Sequence, residues 1–302
     1  DLAPLEEAAT AILREGDPSS LGFYLDHQRV HVGDPTTAAN QAFAAWQADR
    51  ASGRDSLLLT ATRDTVTALN LRARADRLAA AVPAGGAGPE VALTDGTRAS
   101  AGDEILTRRN DRRLTITATD WVKNGDRFTV QHVLPGGALR AIHPATGRRV
   151  VLPAAYVAQH VQLGYASTVH TAQGRTADTS HTVLTGAEDR QLLYVAATRG
   201  RTTNSLYLQT ADDGDEHAPA QPDSVRPPTA AELLTRILGR DGAQTSATST
   251  RRQLADPAGR LADEADRYLD SLTVAAAKAF RNGSQVDHGR AAGRPAPLPW
   301  LP

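Results

Sequence analysis

Residues 168–186 read TVHTAQGRTADTSHTVLTG. The stretch opens on small, hydroxylated and glycine-bearing positions and closes on a short apolar run, His181–Leu184, which reads as a buried strand. Thr, Gln, Gly and exposed backbone N–H groups at a loop junction suit phosphate oxygens, whether of a nucleotide or of a nucleic-acid backbone. The competing reading is a polar turn with Thr168 as a helix cap, and for any one of these residues alone it is the better one. His170 and His181 stand eleven positions apart with no carboxylate at ligand spacing, so structural histidines are expected rather than a metal site. The same holds for His27 and His31. Ser167, His170 and Asp178 could form a nucleophilic trio, but such trios arise by chance in a chain of this size.

Working outward, Val161–Tyr165 approaches the stretch as a strand, Asp189–Thr198 follows it as a helix, and Asn204–Leu208 is a further strand. Upstream, Asp34-Pro35 is an N-cap with a first-turn proline, opening a helix that runs to about Ser52 and stops at Gly53. Ser56–Thr60 (SLLLT) matches a buried parallel strand, and Val66, Leu69, Ala73 and Leu78 recur at helical spacing over Asp64–Ala81. Strand alternating with helix predicts an α/β layer around a parallel sheet. From Asp95 to Pro153 the pattern changes. Glu104–Thr107, Leu114–Ala118, Arg127–Leu134, Ala138–His143 and Arg148–Leu152 are short alternating runs, separated by Asn124-Gly125-Asp126, Pro135-Gly136-Gly137 and Thr146-Gly147 turns. These five runs predict a small barrel inserted into the α/β domain. Residues 3–15 read as a helix and Leu21–Val32 as a hairpin around Asp26-His27-Gln28. Pro83–Pro89 (PAGGAGP) reads as a loop without the Lys-Ser/Thr of a phosphate-binding loop. Past Thr210 a solvated linker is expected, then helices over Thr229–Leu238 and Leu254–Phe280 and a disordered Pro-rich end.

The 302 residues suffice for one large domain or two to three small ones, and a 40% hydrophobic content marks a globular chain. No apolar run approaches a membrane span, and no signal peptide precedes the first helix. With no Cys, disulfides and thiolate metal sites are excluded, and a reducing compartment is allowed. The absence of Met and the start at Asp1 predict a piece of a longer chain. A net charge of −1 gives no global signal for nucleic acid. Positive charge is nevertheless clustered at Arg108, Arg109, Arg112 and Arg113, at Arg148 and Arg149, and at Arg199 and Arg201, while Lys123 and Lys278 are the only lysines.

Four segments carry a resemblance. Tyr165–Asp178, YASTVHTAQGRTAD, resembles helicase motif V; Tyr194–Arg201, YVAATRGR, resembles motif VI; Asp55–Arg74, DSLLLTATRDTVTALNLRAR, resembles the motif IV region. Between IV and V, AGDEILTRRNDRRL (101–114) with WVKNGD (121–126) resembles the SH3-like insertion of superfamily 1 helicases. In this order they resemble the C-terminal motor half of a RecD-like DNA helicase, most similar to the helicase region of MobF-type (TraA/TrwC-like) conjugative relaxases, over roughly residues 1–210.

The resemblance implies a RecA-like second motor domain with an inserted SH3-like β-barrel and a mostly helical or disordered C-terminal tail. Its parts are then 1–32 (end of a preceding motor domain or linker), 33–93 and 161–210 (the RecA-like domain), 94–160 (the barrel) and 211–302 (linker and tail). It implies Arg199 as an arginine finger on a γ-phosphate. It implies Gln173, Gly174, Thr62, Arg63 and Arg201 at the nucleotide, and Thr168, His170, Asn70, Arg108, Arg109, Asn110 and Asn124 at single-stranded DNA. For Asn124 a plain hairpin turn is an equal alternative, and for Arg199 the alternative is a cation on a helix C-terminus. ATP and Mg2+ are the implied cofactors, held mainly by a first motor domain. The implied partners are single-stranded DNA and the motor and relaxase domains of the same chain; the implied polarity is 5′ to 3′ and the compartment cytoplasmic. No GxxxxGK[ST] and no apolar strand ending in Asp-Glu occur, so the chain alone is expected to hydrolyse no ATP. A non-catalytic module that binds single-stranded DNA and a stand-alone RecD-like repair helicase are the rivals.

Overall fold

The computed structural model describes residues 2–81, 88–117, 119–144, 146–210 and 228–242. Most of the expected Pro83–Pro89 loop, the linker after Thr210, the helix expected over Leu254–Phe280 and the Pro-rich end lie outside the described residues. In chain order the elements are α1 (Ala3–Glu15), α2 (Leu21–Asp26), β1 (Val30–Gly33), α3 (Pro35–Ala51), β2 (Ser56–Thr60) and α4 (Arg63–Ala81). Then come β3 (Val91–Ala92), β4 (Arg98–Ala99), β5 (Glu104–Thr107), β6 (Asp111–Thr115), β7 (Trp121–Val122), β8 (Arg127–Val133), β9 (Leu139–Ile142) and β10 (Arg149–Leu152). The remainder are α5 (Ala154–His160), β11 (Val161–Leu163), β12 (Ala166–Thr168), β13 (Ala177–Leu184), α6 (Arg190–Ala196), β14 (Gly200–Gln209) and α7 (Ala230–Gly239).

Five strands form a parallel sheet in the order β1-β14-β13-β2-β12. Side chains alternate across a strand, and β2 shows the consequence. Leu58 joins the apolar cluster under α3 and α4, with Ala42, Phe43, Trp46, Leu69 and Ala73. Leu57 and Leu59 join the opposite cluster with α1, α2, α6 and α7, through Leu13, Tyr24, Leu193, Ala196 and Leu234. The result is a mixed α/β body with helices on both faces of a parallel sheet, as the alternation of strand and helix predicts. α3 begins where expected, because the Asp34 carboxylate accepts the Thr36 and Thr37 N–H groups.

Between α4 and β12 lies a second, antiparallel sheet, β10-β9-β8-β5-β11, flanked by the ribbons β3-β4 and β6-β7. Val161–Leu163 pairs with Thr107–Ile105, so the run that approaches motif V closes the antiparallel sheet, and the parallel sheet resumes only at Ala166.

Three local expectations differ from what is observed. Leu21–Val32 is not a hairpin: Pro18–Ser20 is a helical turn capped by the Asp17 carboxylate, Leu21 and Tyr24 bury one face of α2, and the chain leaves through Gln28 at φ 54° into β1. β13 starts at Ala177, ahead of its apolar run, because Thr179, Ser180 and His181 find partners on neighbouring elements, although Thr182 Oγ1 is buried without one among the described residues. The Thr179 hydroxyl donates to Ser56 Oγ (2.8 Å) and the Ser180 hydroxyl to Asn204 Oδ1 (2.8 Å). His181 lies between Asp49 Oδ2 (2.8 Å) and the Tyr207 hydroxyl (3.1 Å), and burial lowers its pKa. β6 begins at Asp111, its register against β7 broken by an irregularity between Asp111 and Thr115.

One buried carboxylate ties the two sheets together. Asp103, at the start of the antiparallel sheet, is fully buried. It accepts from Arg74 Nε (3.1 Å) and Arg77 Nε (2.8 Å) of α4, from the Ser100 N–H (2.7 Å), and from the Tyr165 hydroxyl (2.6 Å). The entry to the insertion, its exit and α4 are therefore held at a single point.

Candidate nucleic-acid and nucleotide site

Ligands of open parallel α/β sheets gather at the carboxyl ends of the strands. Here β2 ends at Thr60 and β12 at Thr168, paired side by side. Beyond Thr168 the chain makes a turn rather than a helix. The Thr171 N–H donates to Thr168 Oγ1 (3.2 Å), the two hydroxyls share a hydrogen bond (2.9 Å), and Gly174 takes φ +82°, which an L side chain rarely adopts. The small and hydroxylated composition of motif V thus folds into a self-bonded turn that leaves Gln173 and Gly174 exposed. After β2, Thr62 Oγ1 accepts the Thr65 N–H (3.3 Å), so Thr62 caps α4.

A cavity of about 480 Å³ lies between this edge and the insertion, and Arg63, Asn70, Arg108, Thr168 and His170 all line it. Asn70 is committed at both ends of its amide: it accepts the Ala166 N–H (2.9 Å) and donates to the Ala166 carbonyl (3.2 Å), extending the free edge of β12. Arg108 reaches Thr171 Oγ1 (3.2 Å) and joins the insertion to the turn. Arg109 Nη1 lies 3.1 Å from His160 Nε2. Asn110 Oδ1 accepts the Asn124 N–H (2.8 Å), which shapes the Asn124-Gly125-Asp126 turn. Asn124, Gln173 and Gly174 line a different cavity, of about 700 Å³, on the other side of the turn.

Arg199 leaves the C-terminal end of α6 and folds back onto motif V. Its guanidinium donates to the carbonyls of Val195 (3.0 Å), Ala172 (3.4 Å) and Arg175 (3.0 Å) and to Thr198 Oγ1 (2.8 Å). All four acceptors are neutral, and burial pulls the Arg199 pKa down. Motifs V and VI are therefore latched to each other through one cation that has no carboxylate against it among the described residues. Arg201, by contrast, is paired with Asp178 (2.8 Å).

Several residues that matter here carry no motif. Asn204 sets the turn after Arg199. Its Oδ1 accepts the Gly200 N–H (2.6 Å), and its amide donates to Glu6 Oε1 (2.7 Å) and to the Gly200 carbonyl (2.9 Å). Glu6 comes from α1, and burial raises its pKa against the opposing pull of Asn204 and Arg29. A partner 198 positions away leaves no local sequence signal. Among the described residues no group of three or more His, Asp or Glu comes together as a metal site, and no helix is long and apolar enough to cross a membrane.

The fold and this edge define an α/β domain with an inserted antiparallel sheet, whose motif V turn is latched to the following helix by an arginine. Comparison with known proteins finds sequence similarity to conjugal transfer proteins. The chain is 29% identical over 206 residues to the conjugal transfer protein TraA of Agrobacterium fabrum, which covers 67% of this chain and 18% of that protein. It is 31% identical over 171 residues to the probable conjugal transfer protein TraA of Sinorhizobium fredii, covering 56% of this chain and 15% of that protein. It is also 38% identical over 105 residues to the uncharacterized protein Rv2311 of Mycobacterium tuberculosis, covering 34% of this chain and 60% of that protein. The chain is thus related in sequence to TraA-type conjugal proteins, as motifs IV to VI implied, and spans less than a fifth of their length. No family model matches it. Among solved structures, Pif1 helicase from Bacteroides in complex with ADP-AlF3 and ssDNA overlays 51% of this chain and 40% of that chain, with TM-score 0.36 and 16% identity. Unliganded Pif1 from Bacteroides sp overlays 68% and 49%, with TM-score 0.37 and 14% identity; both overlays are loose.

Proposed function

We propose that the chain is the second motor domain of an ATP-dependent DNA helicase, within a conjugative relaxase-helicase that processes plasmid DNA for transfer in the cytoplasm. The antiparallel sheet with its ribbons is then the SH3-like insertion, and single-stranded DNA runs along the cavity lined by Arg63, Arg108, Thr168 and His170. One observation carries this: the motif V turn touches all three moving parts. It ends a strand of the parallel sheet, bonds the insertion through Arg108, and is latched to motif VI through Arg199. A shift of any one of the three must be felt by the others. The relation to TraA proteins supports the conjugal setting over a stand-alone repair helicase.

The residues fit a nucleotide phosphate in charge: Arg199 is a partly buried cation held by neutral acceptors alone, next to the exposed Gln173 and Gly174. ATP would supply the γ-phosphoryl group whose separating charge Arg199 faces. In this reading Mg2+ finds its ligands outside the described residues. The hydrogen bonds of Arg199 also favour a second reading, a non-catalytic module that loads on single-stranded DNA, in which Arg199 only shapes the turn.

Both readings require weak, salt-sensitive binding of single-stranded DNA with little sequence preference. Replacing Arg108 and Arg109 with Ala should lower the slope of log affinity against log salt by roughly 0.7 for each phosphate that is no longer neutralised. Titration of a labelled dT oligomer at several salt concentrations measures it, and an unchanged slope would remove the insertion from the DNA path.

A further inference from the structure

The larger cavity, about 700 Å³ between the start of β2, the insertion and the far side of the motif V turn, holds charges that the proposed DNA path does not use. Arg127, the first residue of β8, lines it with only 6% of its side chain exposed. Its interactions are marginal: Nη2 to the Tyr165 carbonyl at 3.5 Å and Nη1 to Glu104 at 3.8 Å. Among the described residues, Arg127 Nε is buried with no hydrogen-bond partner. Arg175 lines the same cavity, and its buried Nη1 likewise has no partner. His143 Nδ1, a third lining group, is also unpartnered.

More cations than carboxylates line the cavity. Arg50, Arg54, Lys123, Arg127 and Arg175 face Asp55, Glu104 and Asp126. Three of these cations are already taken, Arg50 by Glu104, and Arg54 and Lys123 by Asp49 and Asp120 from outside the cavity, which leaves Arg127 and Arg175. Burial, and then the neighbouring charge of Arg175, pull Arg127 down to a pKa of about 10, so it stays cationic at neutral pH. A buried guanidinium with idle N–H groups beside a second one destabilises a fold unless something answers it. A tetrahedral oxyanion does so, because a planar guanidinium meets two of its oxygens at once.

We propose that this cavity is a binding site for a phosphate group, with Arg127 and Arg175 as its principal ligands. The phosphate comes from a nucleotide or from a nucleic-acid backbone; both present the same oxygens to the two guanidinium groups. The cavity shares Gln173 and Gly174 with the nucleotide position proposed above, but the site is carried by Arg127 and Arg175, and Arg108 and Arg109, on which the helicase reading is tested, lie outside it.

The test uses pyrophosphate as the probe, with the full chain at constant ionic strength, followed by thermal unfolding and by calorimetric titration. Pyrophosphate should raise the melting temperature beyond a chloride control, and Arg127→Met and Arg175→Gln should each weaken its binding at least tenfold. Without ligand, Arg127→Met should melt at or above the temperature of the unmodified chain, since an apolar side chain replaces an unanswered charge. A purely structural Arg127 would lower it. Should Arg127→Met fail to fold, Arg175→Gln at the partly exposed rim decides alone. Displacement of pyrophosphate by ADP assigns the site to a nucleotide, and displacement by a dT oligomer assigns it to a strand backbone; either supports the site. Two results overturn it: no rise above chloride, or a rise that survives undiminished in the variants.

Discussion

Replacing Asp103 with Asn is expected to cost about 3–5 kcal/mol of stability, the usual penalty for breaking a buried ion pair from one side. The carboxylate is fully buried and answers two guanidinium groups, a backbone N–H and a tyrosine hydroxyl. Asn removes the charge, and its NH2 presents donors where acceptors are needed. Arg74 keeps Glu90, and Arg77 keeps the Ala101 carbonyl and the Ser100 hydroxyl, so neither cation is wholly stranded. The fall in melting temperature should be on the order of ten degrees. The insertion should loosen first, because the three segments meeting at Asp103 are its entry, its exit and the helix beneath it. Denaturant unfolding followed at Trp46 beneath the parallel sheet and Trp121 in the insertion measures both effects. A loss below about 1 kcal/mol would mean that the two sheets are held together elsewhere.

In a complete two-motor protein, Arg199→Ala is expected to reduce ATP turnover on the order of a thousandfold while leaving binding of single-stranded DNA nearly intact. Lys should not rescue, because it lacks the planar fork that grips two oxygens. The hydrogen bonds of Arg199 add a second effect. Losing a charged donor that serves four neutral acceptors should also cost about 1–3 kcal/mol, more than the roughly 0.3–1 kcal/mol of an exposed cation at a helix end. Measuring turnover and melting temperature on the same variant separates the roles. Near-normal turnover with a lowered melting temperature would assign Arg199 to holding the turn and nothing more.

What could be read in the sequence follows from how local each determinant is. Ser56–Thr60 is apolar on both faces because both faces of β2 are covered, and Asp34-Pro35 announces a cap that needs only its own two neighbours. The polar half of β13 is opaque for the opposite reason: Thr179, Ser180 and His181 are acceptable in a central strand only because Ser56, Asn204 and Asp49 answer them from distant positions. The same holds at the site. Motif V spacing points to the turn, and Arg63, Asn70, Arg108, Thr168 and His170 do share a cavity. It does not reveal that Gln173 and Gly174 face another cavity, that Thr62 caps a helix, or that Arg199 bends back onto carbonyls. Arg127 and Arg175 look like ordinary surface arginines in the sequence; only the closing of β8 and the turn over them makes them unusual.

The central claim is that the turn after β12 receives single-stranded DNA. Amide hydrogen exchange of the chain, with and without a saturating dT oligomer, tests it most directly. The expected result is protection concentrated at residues 168–175 and 61–66 and at Arg108–Asn110, with the opposite edge of the sheet at β1 unchanged. Protection confined to residues outside those segments, or none at saturation, would contradict the claim.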